Sequence, residues 1–236
     1  MGGTDEEYPR AEKVSRRIWR GSVVILAITV AAIGLAVIGI FAQPDARRAQ
    51  PIWQNGFDIV DGALDGWLID PPGSASIAEG RLRLRSPLSD SPAQATHPLA
   101  VGDFIAQTQA SAGGVSTDDG YGLVVGSQDE STAFLISSDG YFGVMRKVDG
   151  AWVEAQPWKL WPHVRRGQAV NMLRLECRGD ACTFYVNDEI TATLNVRRSR
   201  EVIGLIAWNF SLGLRTVEFE SIQIWDQRWT AGRKTE

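Results

Sequence analysis

The sequence predicts an antiparallel β-sandwich or barrel held behind one transmembrane helix, and three observations carry that prediction. Residues 21–43 contain no charge. Beyond Pro51 the apolar residues recur at a period of two rather than 3.6. Between those runs, Gly, Asp and Asn recur at hairpin-length gaps. A hydrophobic share of 44% suits a folded domain rather than a disordered chain. The net charge of −4 argues against a dedicated nucleic-acid binder, which needs a basic excess to neutralise phosphates.

Residues 1–20 form a short cytoplasmic tail with a mixed set of charges, too short to fold alone. In the membrane segment, 21–43, the 21 residues from Ser22 to Ala42 reach about 31 Å as a helix. That matches the ~30 Å hydrocarbon layer of a bilayer. A cleaved signal peptide is the rival reading, but its apolar core is only about 7–15 residues and ends in a small-x-small site. This run is longer and ends Ile40-Phe41-Ala42, which reads as an uncleaved anchor. Arg10, Lys13, Arg16, Arg17 and Arg20 precede it, against Arg47 and Arg48 after it, so the positive-inside bias puts the N-terminus in the cytoplasm. The rest of the chain then lies outside the cytoplasmic membrane. Ala27 with Ala31 and Ala32 with Ala36, beside Gly34 and Gly39, form small-xxx-small spacings that let another membrane helix approach. Small residues are also common in any membrane helix.

Residues 44–54 read as a linker, 55–226 as one sandwich domain and 227–236 as a C-terminal tail. Arg81-Leu82-Arg83-Leu84-Arg85 alternates strictly, placing leucines on one face and arginines on the other. Further strand-like runs are Phe104 to Ala110, Tyr121 to Val125, Ala133 to Ser137, Tyr141 to Lys147, Met172 to Cys177, Thr183 to Val186, Val202 to Trp208 and Thr216 to Trp225. Asp139-Gly140, Asp149-Gly150, Gly179-Asp180 and Asn187-Asp188 supply the turns. Many short strands at this spacing mean an antiparallel sandwich or barrel.

Gly56-Phe57-Asp58, Asp65-Gly66-Trp67 and Glu79-Gly80-Arg81-Leu82-Arg83-Leu84 together resemble the opening of concanavalin A-like, laminin G-like jelly rolls. Asp119-Gly120-Tyr121-Gly122-Leu123-Val124, Phe134-Leu135-Ile136, Val148-Asp149-Gly150-Ala151-Trp152, Asn171 to Asp180, Tyr185-Val186-Asn187 and Val217 to Ile222 are similar to bacterial domains of the 3-keto-disaccharide hydrolase type. The resemblance covers roughly residues 55–226. It implies an all-β jelly-roll sandwich, a fold whose members bind sugars or proteins as well as hydrolyse glycosides.

A glycoside hydrolase needs two carboxylates at a set separation. The Glu-x-Asp-x-x-Glu strand of jelly-roll retaining enzymes is absent, and the nearest approach is Glu218-Phe219-Glu220, whose carboxylates share one strand face. Such a pair beside Arg215 more often forms a solvated face. His97 and His163 read as loop histidines without partners at metal-ligand spacing. Asp118-Asp119 and Asp129-Glu130 flank one strand and carry the hard oxygens calcium uses, although turn acids are common without a metal. The sequence calls for no cofactor.

Cys177 and Cys182 bracket the turn Arg178-Gly179-Asp180-Ala181 and can meet across a hairpin as a structural disulfide. The enclosed Arg-Gly-Asp is ordinary turn chemistry, and Asn209-Phe210-Ser211 matches a glycosylation sequon. Nine tryptophans are the anomaly of the composition. Trp67, Trp208 and Trp225 fall at strand positions and read as core. Trp152, Trp158 and Trp161 crowd one loop-like stretch with Pro157 and Pro162, suited to a binding surface or to plugging one end of the sandwich.

The leading expectation is a non-catalytic, membrane-anchored interaction module, an accessory or structural subunit of a membrane protein complex. Its partners would be the lipid bilayer and other subunits, reached through the helix and the tryptophan stretch. A carbohydrate-binding surface protein using the same indoles is the alternative. A disaccharide-directed glycoside hydrolase is the second.

Overall fold

The structure is a computed structural model that describes residues 50–58, 64–86, 91–98, 102–113, 118–127, 129–196, 201–210 and 215–226. The expected tail 1–20, membrane helix 21–43 with its small-residue positions, and tail 227–236 lie outside these residues. Among the described residues no helix is long and apolar enough to cross a membrane.

Fifteen strands follow in order: β1 (Trp53–Asn55), β2 (Leu68–Asp70), β3 (Ala75–Ala78), β4 (Arg81–Ser86), β5 (Ala93–Pro98), β6 (Phe104–Gly113), β7 (Gly120–Gly126), β8 (Ser131–Ser137), β9 (Tyr141–Val148), β10 (Ala151–Leu160), β11 (Asn171–Arg178), β12 (Ala181–Val186), β13 (Glu189–Asn195), β14 (Val202–Trp208) and β15 (Arg215–Asp226). They build two antiparallel sheets. The first runs β13-β12-β11-β6-β15-β4-β3, with β1 pairing beside β4 on the same long strand, β15. The second runs β10-β9-β8-β7-β14-β5-β2. The two sheets face one another as a jelly-roll sandwich.

Alternation explains which side chains meet between the sheets. In β4, Leu82 and Leu84 are fully buried while Arg81, Arg83 and Arg85 turn outward. Phe57, Phe104, Phe134, Phe142, Phe184 and Phe219 fill the space between the sheets with Tyr121. Each such burial stabilises by roughly 1.5–3 kcal/mol before the entropy of ordering is set against it. Burial pushes the Tyr121 phenol up to about 12, opposed by the hydrogen bond from Asn171. The turn at Asn187-Asp188 has φ of 51° and 70°, the paired positive values a two-residue hairpin needs.

Every strand-like run named from the sequence lies within a strand of the structure. Three readings change. His97 is not in a loop but in β5, with its ring 4.7 Å from that of Trp53 and 5.7 Å from that of Trp67. Its Ala-rich, Pro-flanked segment carries little β-propensity, so only pairing with β14 reveals the strand. The stretch from Trp152 to Trp158 is edge strand β10 rather than a loop. Register shifts between Glu154 and Gln156 and between Gln156 and Lys159 accommodate Pro157, which has no amide hydrogen to donate. Trp208 and Trp225 are buried but face away from the inter-sheet core, because Ala207 and Ile224 beside them take the inward positions. Trp67 does pack against that core.

Candidate functional site

The middle of the second sheet is apolar on both faces. β7 and β8 are buried along their whole length, which alternation toward one core cannot produce. Inward, Tyr121, Leu123, Val125, Phe134 and Ile136 join the main core. Outward, Val124, Ala133, Leu135, Ile206 and Trp208 form a second cluster, over which Met145, Trp152 and Trp158 pack.

This outer face carries a continuous run of rings. Trp152 meets Trp208 edge-on at 5.5 Å, Trp208 stacks on Phe210 at 5.1 Å, and Phe210 meets Trp158 edge-on at 6.0 Å. Trp158 can lie flush on the sheet because two residues beneath it have no side chain. A Cβ on Gly143 would sit 2.8 Å from Trp158 Cδ2, and one on Gly120 would sit 3.1 Å from its Cη2. Glycine inside a strand is otherwise a weak choice, and here it marks the close approach of a ring.

Beside Trp158 opens a pocket of about 410 Å³ lined by Asp118, Ser137, Asp139, Tyr141, Trp158 and Phe210. The register places these together: Gly120 pairs with Trp208 on one side and Ser137 on the other, and Leu160 pairs with Tyr141. Tyr141 and Phe210 remain 38% and 37% exposed, so their rings are open to a ligand, whereas Trp208, stacked on Phe210, is buried at 5%. Ser137 Oγ donates to Asp139 Oδ1 and accepts from the Tyr141 amide at 3.1 Å, fixing the turn that carries both side chains. Asp119 Oδ1 accepts from the Phe210 amide at 3.0 Å, which anchors the other wall.

The segment after β10 braces this end of the sheet. Trp161 N donates to Gly140 O and Gly167 N to Ser138 O, both within the β8–β9 turn. Buried Asn171 holds the segment in turn: its Oδ1 accepts from Arg165 N, and its Nδ2 lies within bonding distance of Arg165 O and the Tyr121 hydroxyl. A rigid base of this kind keeps a pocket open without ligand.

Of the three indoles singled out from the sequence, the structure brings Trp152 and Trp158 to the outer face and leaves Trp161 elsewhere. Trp161 packs edge-on to inward-facing Phe142 at 5.8 Å and closes the main core. Glu218 and Glu220 lie on the outer face of the first sheet and do not line this pocket. Arg81 bonds Glu218 at 3.0 Å and approaches Glu220 at 3.6 Å, while Arg83 bonds Glu218 at 2.8 Å. Burial pushes the Glu218 carboxyl up, but the Arg81 and Arg83 guanidiniums outweigh it and hold the group below its ordinary value. Cys177 and Cys182 form the disulfide expected across the β11–β12 turn, buried in the main core. In that turn the Gly179 amide donates to Asp103 Oδ1 at 2.9 Å. Asn209 is fully buried and donates to Ser86 O, which removes it as a glycan acceptor. Among the described residues, no three His, Cys, Asp or Glu side chains converge as a metal site.

Nothing in the sequence marks Tyr141, Phe210, Ser137 or Asp139 directly as site residues. The one signal for them is indirect: Gly120 and Gly143 interrupt strands at positions that face the same side as a tryptophan.

No protein-family description matches this chain, and no curated protein resembles it in sequence. Solved structures do resemble it in fold. The carbohydrate-binding module CBM66 from Bacillus subtilis superposes with a TM-score of 0.56 at 14% identity, covering 68% of this chain and 96% of the module. A Bacillus licheniformis β-glucanase superposes with 0.57 at 9% identity, covering 76% and 99%. A xylan β-1,4-xylosidase from Bacillus halodurans gives 0.56 at 14% identity, and there the match spans 75% of this chain but 40% of the enzyme. These likenesses establish a concanavalin A-like jelly-roll sandwich.

Proposed function

We propose that this protein is a carbohydrate-binding module whose outer second-sheet face receives a saccharide, and that the module is presented outside the cytoplasmic membrane by the anchor at 21–43. The observation that carries the reading is the pocket in which Trp158 lies flush over two glycines. Tyr141 and Phe210 flank that ring, and Asp118, Ser137 and Asp139 stand beside it as hydrogen-bond acceptors. A pyranose ring has an apolar face that stacks on aromatics and a rim of hydroxyl donors, and the pocket offers a partner for each. Sandwiches of the same fold include a carbohydrate-binding module and glycan-directed enzymes.

The module binds without hydrolysing. Glu218 and Glu220, the pair closest to a catalytic arrangement in the sequence, are engaged by Arg81 and Arg83 of their own sheet and are not among the residues that line this pocket. The accessory-subunit reading rests on the membrane segment and the tryptophan stretch, and gains nothing from the pocket.

The test is affinity electrophoresis of the full chain, in a detergent without a sugar headgroup, through gels containing different polysaccharides. Retardation by at least one polysaccharide, lost in Trp158→Ala, is the expected result. Unchanged mobility in every gel would overturn the reading.

A further inference from the structure

Resting on the carbohydrate reading, we infer that the pocket is built for a saccharide unit bearing a free ammonium group, an unsubstituted hexosamine. Three features of the lining point there together. Tyr141, Trp158 and Phe210 present three ring systems around one space. A cation against such π faces gains about 0.5–1 kcal/mol where exposed and ~2 where desolvated. Two of the other three lining residues, Asp118 and Asp139, are carboxylates, and the third, Ser137, is a hydroxyl.

Among the lining residues there is no Lys or Arg to neutralise those acids. Arg166, whose guanidinium packs on Gly140 between Asp139 and Tyr141, is not one of the lining residues. Ser137 donates to one oxygen of Asp139, and a carboxylate has acceptor sites beyond a single hydrogen bond. A neutral sugar satisfies the acceptors but brings no positive charge to the two carboxylates of the lining. A uronate or sulfated sugar brings like charge against them. An ammonium group satisfies rings and carboxylates at once.

The wider surface favours the same ligand. Removing the five basic and four acidic residues of the first twenty leaves 19 basic and 24 acidic residues, a net charge of −5. A polycationic glycan is therefore attracted before contact, in a salt-dependent way.

The experiment is isothermal titration of the full chain with four matched oligosaccharides: glucosamine oligomers, their fully N-acetylated counterparts, glucose oligomers and a uronate oligomer. The expected result is at least about tenfold tighter binding of the glucosamine series than of the other three. Added salt should narrow the preference, and Asp118→Asn or Asp139→Asn should reduce it toward parity. Folding of each variant is checked by its thermal transition, and the comparison within the unaltered protein decides the matter even if a variant fails to fold. Equal or tighter binding of a neutral series overturns this inference and leaves the carbohydrate reading standing. A preference that survives in both Asn variants overturns the assignment to these carboxylates. No binding of any oligomer, together with free passage through every polysaccharide gel, removes both.

Discussion

The two outward faces of this sandwich are made by the same alternation and put to opposite uses. On the first sheet, β4 and β15 turn Arg81, Arg83, Glu218 and Glu220 to the outside, where they pair with one another. On the second, β7, β8 and β14 turn Val124, Ala133, Leu135, Ile206 and Trp208 outward and bury them beneath further rings. A solvated face needs only polar residues at every second position. A face that is apolar as well costs solubility, and it persists where it supports something. The difference between the faces therefore supports the proposed site independently of any motif.

The sharpest way to break this contrast is to truncate residues on each face. Leu135→Ala, although it points away from the inter-sheet core, should cost about 2–5 kcal/mol in denaturant unfolding, as much as Leu84→Ala inside it. Arg85→Ala, on the outer face of the first sheet, should stay within about 0.5 kcal/mol. If Leu135→Ala proves as mild as Arg85→Ala, the second cluster is surface decoration and the contrast fails.

The next effect separates stability from binding. Replacing Cys177 and Cys182 together by serine opens a loop of sequence separation 5 and should cost about 2 kcal/mol. Saccharide affinity should not change, because the bridge belongs to the first sheet. A loss of affinity at temperatures where the variant remains folded would show that the two sheets are not independent in function.

Gly143→Ala reverses that pattern. A methyl group there would meet Trp158 well inside contact distance and must lift the ring off the sheet. About 1 kcal/mol of stability and roughly tenfold in affinity should be lost. Unchanged affinity would mean that the depth of the pocket does not matter to its ligand.

The smallest effect tests the ion pairs of the first sheet. Because the Glu218 carboxyl is held below its ordinary value, its contribution is fully present above the unfolded-chain value and is lost as pH falls through the folded one. The melting temperature of Glu218→Gln should lie slightly below that of the unaltered protein at neutral pH. The two should converge under acidic conditions. A gap that widens toward acid would reverse the assignment.

How much of this was readable without coordinates differs by face. Arg81 to Arg85 declares its strand and its orientation in five residues, because one covered face and one wet face give strict alternation. β7 and β8 read as strands but hide their orientation, since residues apolar on both sides give no alternation to follow. β5, with its alanines and His97, gives no strand signal in the sequence, and Pro157 makes β10 look like a loop. The pocket depends on sheet order rather than on sequence order. Tyr141 on β9 and Phe210 just after β14 become neighbours only because β8 and β7 lie between those strands. Cys177 and Cys182 were legible because a hairpin brings near neighbours together and needs no distant partner.

The chain of rings on the outer face gives the molecule a property unrelated to affinity. Indole rings as close as those of Trp152 and Trp208, with planes inclined at 64°, should couple and split into paired circular-dichroism bands of opposite sign. That couplet vanishes when the second sheet comes apart. Trp158 sits further along the same row, through Phe210, with its ring at the pocket. Its emission should change when the proposed saccharide is laid against it. The domain thus carries two optical gauges side by side, one that reports whether the sheet is assembled and one that reports whether the pocket is filled.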